Sequence, residues 1–444
     1  MGERRPVDPK AIELLSRAYG IDSWLIETAE RAQDRVLRPW AKMDGIAQYN
    51  QAKVLEAFHY ARVSEACLHG STGYGYGDAG REKLDQVYAR AFGAEAAFVR
   101  SQFVSGTHAI ACALFAATAP HRPLICATGT PYDTLKPVLG KVSEPGTVAG
   151  QGSSVSIVEI AADGSIDTEA ILKIASKLKD PPVVFLQRSC GYTWRESYSV
   201  GEIGSAIQAI RASVPEATFV VDNCYGEFVE DVEPAEAGAD LVCGSLIKNP
   251  GGGLCAMGGY VAGKTAAVER VAARLTCPGA ASHVGALPSG HREQFQGFFV
   301  APSIVAQAVK GAIFAGRFFE ELGFEVLPHP AAPRTDIIQG VKLGSRERVQ
   351  AFCRGVQRAS AVNAFVKPVA APLPGYEDGI IMAGGTFVQG SSIELSCDAP
   401  MREPYAVFLQ GGLSVEHSMI GAWFAAHEME KEDLLPSAER RDLP

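Results

Sequence analysis

Between Ala96 and Ala262, short apolar runs alternate with stretches whose apolar residues recur at helical spacing. The runs lie at Glu95–Arg100, at Leu124, Val155–Ile160 and Pro182, and at Ala217 and Asp240. Turn residues bound each of them, as expected for buried strands. An Ala-rich stretch after Ser105 and the segment Asp167–Lys179 carry the helical pattern between them. Such alternation predicts βαβ units in an α/β fold with a mainly parallel sheet flanked by helices. Ligands then gather at the carboxyl ends of the strands.

The flanks read differently. Pro9 to Glu65 is helical by pattern, with Pro39 interrupting it, and shows no strand. It predicts a helical arm over residues 1–65, too thin to fold alone, whose apolar faces need a neighbour. Arg274–Gly297 is rich in Gly, Ser and His and reads as a loop, followed by a helix from Pro302 to about Leu322. From Phe324 the pattern shortens. Strands are expected at Ile337–Lys342, Ile380–Ala383 and Ser392–Ser396, around a helix at Arg346–Ser360. The expected domains are therefore an arm (1–65), a large domain (66–322) and a smaller C-terminal α/β domain (323–444).

Composition narrows the classes of function. The 444 residues are 47% hydrophobic and carry a net charge of −9, with no basic run, which argues against nucleic acid as a partner. Ten cysteines occur without a CxxC pair or a Cys/His cluster at zinc spacing, so no metal site is expected and free thiols are. Neither a signal peptide nor a membrane-length apolar run is visible, and the expected setting is the cytoplasm.

Candidate chemistry sits at the ends of two strand patterns. Asp240–Leu254 runs from an apolar strand through Ser245 to Lys248, then Asn249, Pro250 and three glycines. A lysine at a buried strand end loses hydration, which favours the neutral, nucleophilic amine and Schiff-base chemistry. Upstream, Ala217–Phe228 ends its strand on Asp222, a buried carboxylate that needs a cation. Ser105-Gly-Thr107 opens the Ala-rich helix, where exposed amides and the helix dipole favour an anion.

Val220-Val-Asp-Asn223 with Ser245-Leu-Ile-Lys248 resembles the fold-type I enzymes that use pyridoxal 5'-phosphate (PLP). It is most similar to the cystathionine/methionine gamma-lyase group, and within it to the branch labelled methionine gamma-lyase family or aluminium resistance protein. The resemblance implies PLP bound through Lys248, with Asp222 at the pyridine nitrogen and Ser105, Gly106, Thr107 and Ser245 at the phosphate. It also implies Tyr132 stacked on the ring and either Gln187 or Arg188 at the phenolic oxygen. Arg402 would hold the substrate α-carboxylate, with Arg188 the other candidate. In the lyase group the loop matching His69–Gly80 reaches a neighbouring subunit's phosphate with a Tyr-x-Arg. Tyr74 and Tyr76 match in type, but no arginine stands at that spacing, Arg81 being nearest.

The implied activity is a carbon–heteroatom lyase, C–S above all, acting by β- or γ-elimination or γ-replacement. Methionine, cystathionine, cysteine and canavanine are candidate substrates. Lys248 would move the Cα proton, and Tyr132 or Tyr76 would assist the leaving group. A PLP-dependent aminotransferase and a non-catalytic PLP-fold binding protein are the alternatives. A homo-oligomer is expected, a dimer or a tetramer built from dimers.

Overall fold

The structure is a computed structural model that describes residues 8–118, 122–372 and 378–436. It divides into two compact units. One comprises Met1–Gln48, Tyr192–Arg195 and Ser303–Pro444; the other comprises Tyr49–Gly191 and Glu196–Pro302. The boundaries fall inside two long helices, Ser23–Ala61 and Arg292–Glu321, rather than after residues 65 and 322.

The larger unit is built on seven strands: β1 (Ala96–Arg100), β2 (Leu124–Cys126), β3 (Val155–Ile157), β4 (Val183–Gln187), β5 (Thr218–Asp222), β6 (Leu241–Ser245) and β7 (Gly259–Gly263). Their order is β1-β7-β6-β5-β4-β2-β3. Neighbours from β3 through β2, β4 and β5 to β6 pair in parallel, and only β7 runs against its neighbours. Val183–Leu186 and Phe219–Val221 are wholly buried, as continuous apolar runs covered on both faces must be. Register aligns the strand ends: Gln187 is opposite Asp222, and Asp222 is opposite Cys243.

Helix starts follow local chemistry. Asp78 caps Ala79–Ala91, and Asp167 caps Thr168–Ala175. Ser199 and Glu202 form a capping box on Val200–Ser213.

The smaller unit carries a wholly antiparallel sheet of β8 (Glu325–Leu327), β9 (Ile338–Lys342), β10 (Ile380–Ala383), β11 (Ser396–Pro400) and β12 (Ala406–Gln410), in the order β10-β11-β12-β9-β8. Two expectations shift here. The strand expected at Ser392–Ser396 begins where that range ends, and another strand follows it. Arg402 therefore sits in the turn joining β11 to β12, not beyond the last strand.

The arm is also corrected. Pro39 lies inside the continuous helix Ser23–Ala61. Leu15, Ile21, Leu25, Ile26, Ala29 and Ala32 share one core with Phe314, Phe352 and Trp423 of the same unit. Part of the arm's apolar surface is thus covered within its own unit, while Leu14, Tyr49, Leu55 and Tyr60 are exposed. The helix expected from Pro302 begins at Arg292, which shortens the preceding loop. Its apolar stretch is long enough to cross a membrane, but most of it is buried within the protein.

Candidate active site

The carboxyl ends of β4, β5 and β6 lie side by side in the larger unit and present Gln187, Asp222 and Ser245. Lys248 follows β6 within one turn and is partly buried. Its Nζ stands 3.7 Å from the centre of the Tyr225 ring, a cation–π contact. Asp222 is 8% exposed, and its Oδ1 accepts from the Cys224 amide at 3.0 Å.

The electrostatics of this pair differ from the sequence-based expectation. Burial alone pulls Lys248 down, but Cys224, Tyr225 and Asp222 outweigh it and hold the ammonium above its ordinary value. Burial drives the Cys224 thiol well up. Burial raises Asp222 too, and Lys248 pulls it back. Lys248 and Asp222 therefore each favour the other's charged form, against the burial that opposes it.

A chain of contacts ties the remaining strand ends to this pair. A Cβ on Gly106 would stand 2.9 Å from Ser245 Cβ and 3.6 Å from Cys224 Sγ, so helix Gly106–Thr118 begins directly against β6 and the Asp222 segment. Ser105 caps that helix by accepting from the His108 amide at 3.1 Å. This cap leaves the first-turn amides of Gly106 and Thr107 without intrahelical acceptors. Thr107 Oγ1 meets Thr134 Oγ1 at 2.9 Å, and the Tyr132 amide donates to Gln187 Oε1 at 2.7 Å. Lys248, Asp222, Ser245, Ser105, Gly106, Thr107, Tyr132 and Gln187 thus belong to one connected cluster.

Three candidates are otherwise engaged or exposed. Arg188 is wholly buried: it donates to the Tyr198 carbonyl and to Asn223 Oδ1, and it pairs with Glu230. Its guanidinium braces the loop after β5, and Gly226 is required where a Cβ would stand 2.3 Å from Arg188. All three interactions would have to break before it could serve cofactor or substrate. Tyr76 is 70% exposed and stacks on Tyr74. Arg402 donates to Asp378 at 2.9 Å within the smaller unit.

Sequence reasoning missed Tyr225, Cys224, Thr134 and Glu227. Tyr225 adopts a φ of 74°, a conformation rare for a non-glycine residue, and Asn249, next to Lys248, donates to its carbonyl at 2.9 Å. The adjacent Tyr225-Gly226 pair was the available signal of a tight turn. Glu227 accepts from Tyr260 at 2.9 Å through Oε1, while its buried Oε2 has no hydrogen-bond partner. Burial, with Glu233 nearby, pushes this carboxyl up to about 8.

Residues 25–430 match the model of the methionine gamma-lyase family. The chain belongs to that family. The uncharacterised protein YnbB of Bacillus subtilis (strain 168) is 45% identical over 398 residues, which cover 88% of this chain and 93% of YnbB. A solved structure from Clostridium acetobutylicum, of a candidate cystathionine beta-lyase involved in aluminium resistance, is 42% identical with a TM-score of 0.92. It covers 95% of this family member and all of that chain. The carbon–sulfur lyase involved in aluminium resistance from Clostridium novyi NT is 40% identical with a TM-score of 0.90, over 94% of this chain and 98% of its own. The sheet and its flanking helices form the fold-type I arrangement of PLP enzymes.

Proposed function

We propose that this member of the methionine gamma-lyase family is a PLP-dependent carbon–sulfur lyase acting on an S-substituted amino acid. The observation that carries the reading is the placement of buried Asp222 and of Lys248 at the ends of adjacent strands, beside the start of helix Gly106–Thr118. The donor set fits PLP. Asp222 is a buried carboxylate with a single backbone donor and suits the pyridinium nitrogen. The first-turn amides of Gly106 and Thr107, with Ser105 and Ser245, suit the phosphate. Tyr132 suits the ring face, Gln187 the phenolic oxygen and Lys248 the covalent anchor. When bound, PLP supplies an electron sink for negative charge at the substrate Cα.

The residues then divide the work. Asp222 holds its negative charge where a ring cation is wanted and costs no reorganisation, being fixed by the Cys224 amide. Lys248 would hold PLP covalently, and its Nζ, as the neutral amine, would be the base for the Cα proton and, for a γ-leaving group, for a second proton at Cβ. Tyr225 lies against Nζ and restricts where that amine can swing. Tyr132 is the acid candidate for the leaving sulfur. Arg402 remains the candidate for the substrate carboxylate, because a guanidinium matches it with two parallel hydrogen bonds. β-Elimination from cystathionine is the first reaction to test, with methionine, cysteine and canavanine beside it.

The purified protein is expected to be yellow. Borohydride should bleach it and leave a mass adduct on Lys248. An adduct on another lysine, or no uptake of PLP, overturns the assignment. Released thiol with ammonia and keto acid supports a lyase; stoichiometric pyridoxamine phosphate supports an aminotransferase. We also propose a homo-oligomer in a reducing, cytoplasmic setting. The support is the exposed, stacked Tyr74–Tyr76 pair, which gives a second copy an aromatic surface, and ten free thiols, nine of them buried. Light scattering that shows a fully active monomer overturns the first part.

A further inference from the structure

Away from Lys248, a second cluster of ligand-type side chains lies in the smaller unit. His427 and Glu430 are one turn apart on helix Val415–Glu430 and so share a face. Asp22 lies in the link between helices Pro9–Tyr19 and Ser23–Ala61. The ligand atoms of the three side chains all lie within 4.8 Å of one another.

Two details separate this cluster from a chance meeting of surface acids. His427 is 6% exposed, and its Nδ1 has no hydrogen-bond partner. That nitrogen is 3.9 Å from Glu430 Oε2, too far for a hydrogen bond. The spacing suits two ligands of one ion: with metal–ligand bonds of about 2.0–2.2 Å, such atoms stand roughly 3–4.2 Å apart. The exposed Asp22 can rotate to close the remaining gap. Glu430 is also oriented from outside, because Trp24 Nε1 donates to its Oε1, the kind of outer partner that fixes a ligand's geometry. Among the described residues, Lys431 and Arg358 are engaged outside the cluster. Lys431 pairs with Glu428 at 3.0 Å, and Arg358 pairs with Glu428 as well.

We propose that Asp22, His427 and Glu430 bind one divalent transition-metal ion, with Zn²⁺ the first to test, and so fasten the Asp22 link to the C-terminal helix. Two carboxylates balance a divalent charge. The imidazole nitrogen favours a transition metal over Ca²⁺ or Mg²⁺, which prefer all-oxygen sites. The expectation of no metal site rested on Cys/His spacing along the sequence; this cluster joins residues from distant segments and leaves no such spacing.

The test uses the full chain stripped with a chelator and titrated with Zn²⁺ against a chromogenic competitor. One ion per chain is expected, together with a higher melting temperature, because the ion binds only the native state. Asp22→Asn, at an exposed position, should weaken binding by at least the ~10-fold that losing even an outer partner costs. Glu430→Gln should do the same. Substituted Co²⁺ should show ligand-field bands without a thiolate charge-transfer transition, which separates this site from the cysteines. Failure of the wild type to compete for Zn²⁺, equal binding by Asp22→Asn and Glu430→Gln, or a thiolate transition overturns the site.

Discussion

The ends of β4–β6 and the β11–β12 turn both carry charges assigned to ligand binding, and burial sets them apart. Asp222 is 8% exposed, and Lys248 opposes the upward pull that burial exerts on its carboxyl. In the smaller unit, Arg402 and Asp378 pair at 2.9 Å with side chains 39% and 42% exposed. Water screens the second pair, and exposed pairs of this kind contribute little. In the first, each charge removed from water needs its partner, so losing one member costs far more. The strand ends are therefore where a substitution should stop chemistry, and the turn is where it should only tune affinity.

The strongest test of this contrast is Asp222→Asn. The amide keeps the shape and removes the charge. Turnover should fall by about a hundredfold or more, the scale of losing one fixed electrostatic partner. Circular dichroism should show an intact fold, and the absorption maximum of the bound cofactor should shift. Near-normal kcat would break the comparison at its centre.

Glu227 sharpens it from within the same segment. It is buried like Asp222, but burial and Glu233 push it up to about 8, and it has hydrogen-bonding neighbours rather than a dedicated cation. Its folded value lies above the ordinary value of 4.5, so the folded state holds the proton more tightly. Its stabilising contribution is complete below about 4.5 and is lost as pH rises through about 8. Within that window stability should fall by up to about 1.4 kcal/mol per pH unit from this group. Glu227→Gln should flatten that slope in denaturant titrations between pH 5 and 9. An unchanged slope would mean that Glu227 is ionised in the fold and compensated like Asp222.

How much of this was legible in the sequence follows from the same physics. Strand ends were readable because a buried strand demands an unbroken apolar run, so Asp222 and Lys248 stood out as the polar residues that end one. Arg188 also ends such a run, but its burial against Asn223 and Glu230 depends on how the loop after β5 folds back. Tyr225 was missed because the Tyr225-Gly226 pair signals only a turn, whereas a positive φ at tyrosine is imposed by tertiary contacts. Tyr192–Arg195 joins the smaller unit through contacts with residues far along the chain, among them Tyr192 Oη donating to Asp398 at 3.0 Å. The arm's destination was hidden for the same reason. Amphipathic helices reveal that a face will be buried, not what buries it.

The smallest expected effect is at Arg402, and its size is informative. A buried guanidinium holding a carboxylate would cost several kcal/mol to remove. Arg402 is 39% exposed and already shares one hydrogen bond with Asp378, so truncation to alanine should cost only about 1 kcal/mol. That corresponds to a rise of roughly fivefold in KM, with kcat little changed, since the carboxylate is held alike in ground and transition states. Asp378→Asn gives the opposite sign. With its competitor neutralised, the guanidinium should bind the substrate carboxylate more tightly and KM should fall. Steady-state kinetics of both variants on the best thiol-releasing substrate checks the pair. A loss of a hundredfold or more at Arg402→Ala would show that substrate binding buries this turn, and the contrast with the strand ends would then hold only for the unliganded protein.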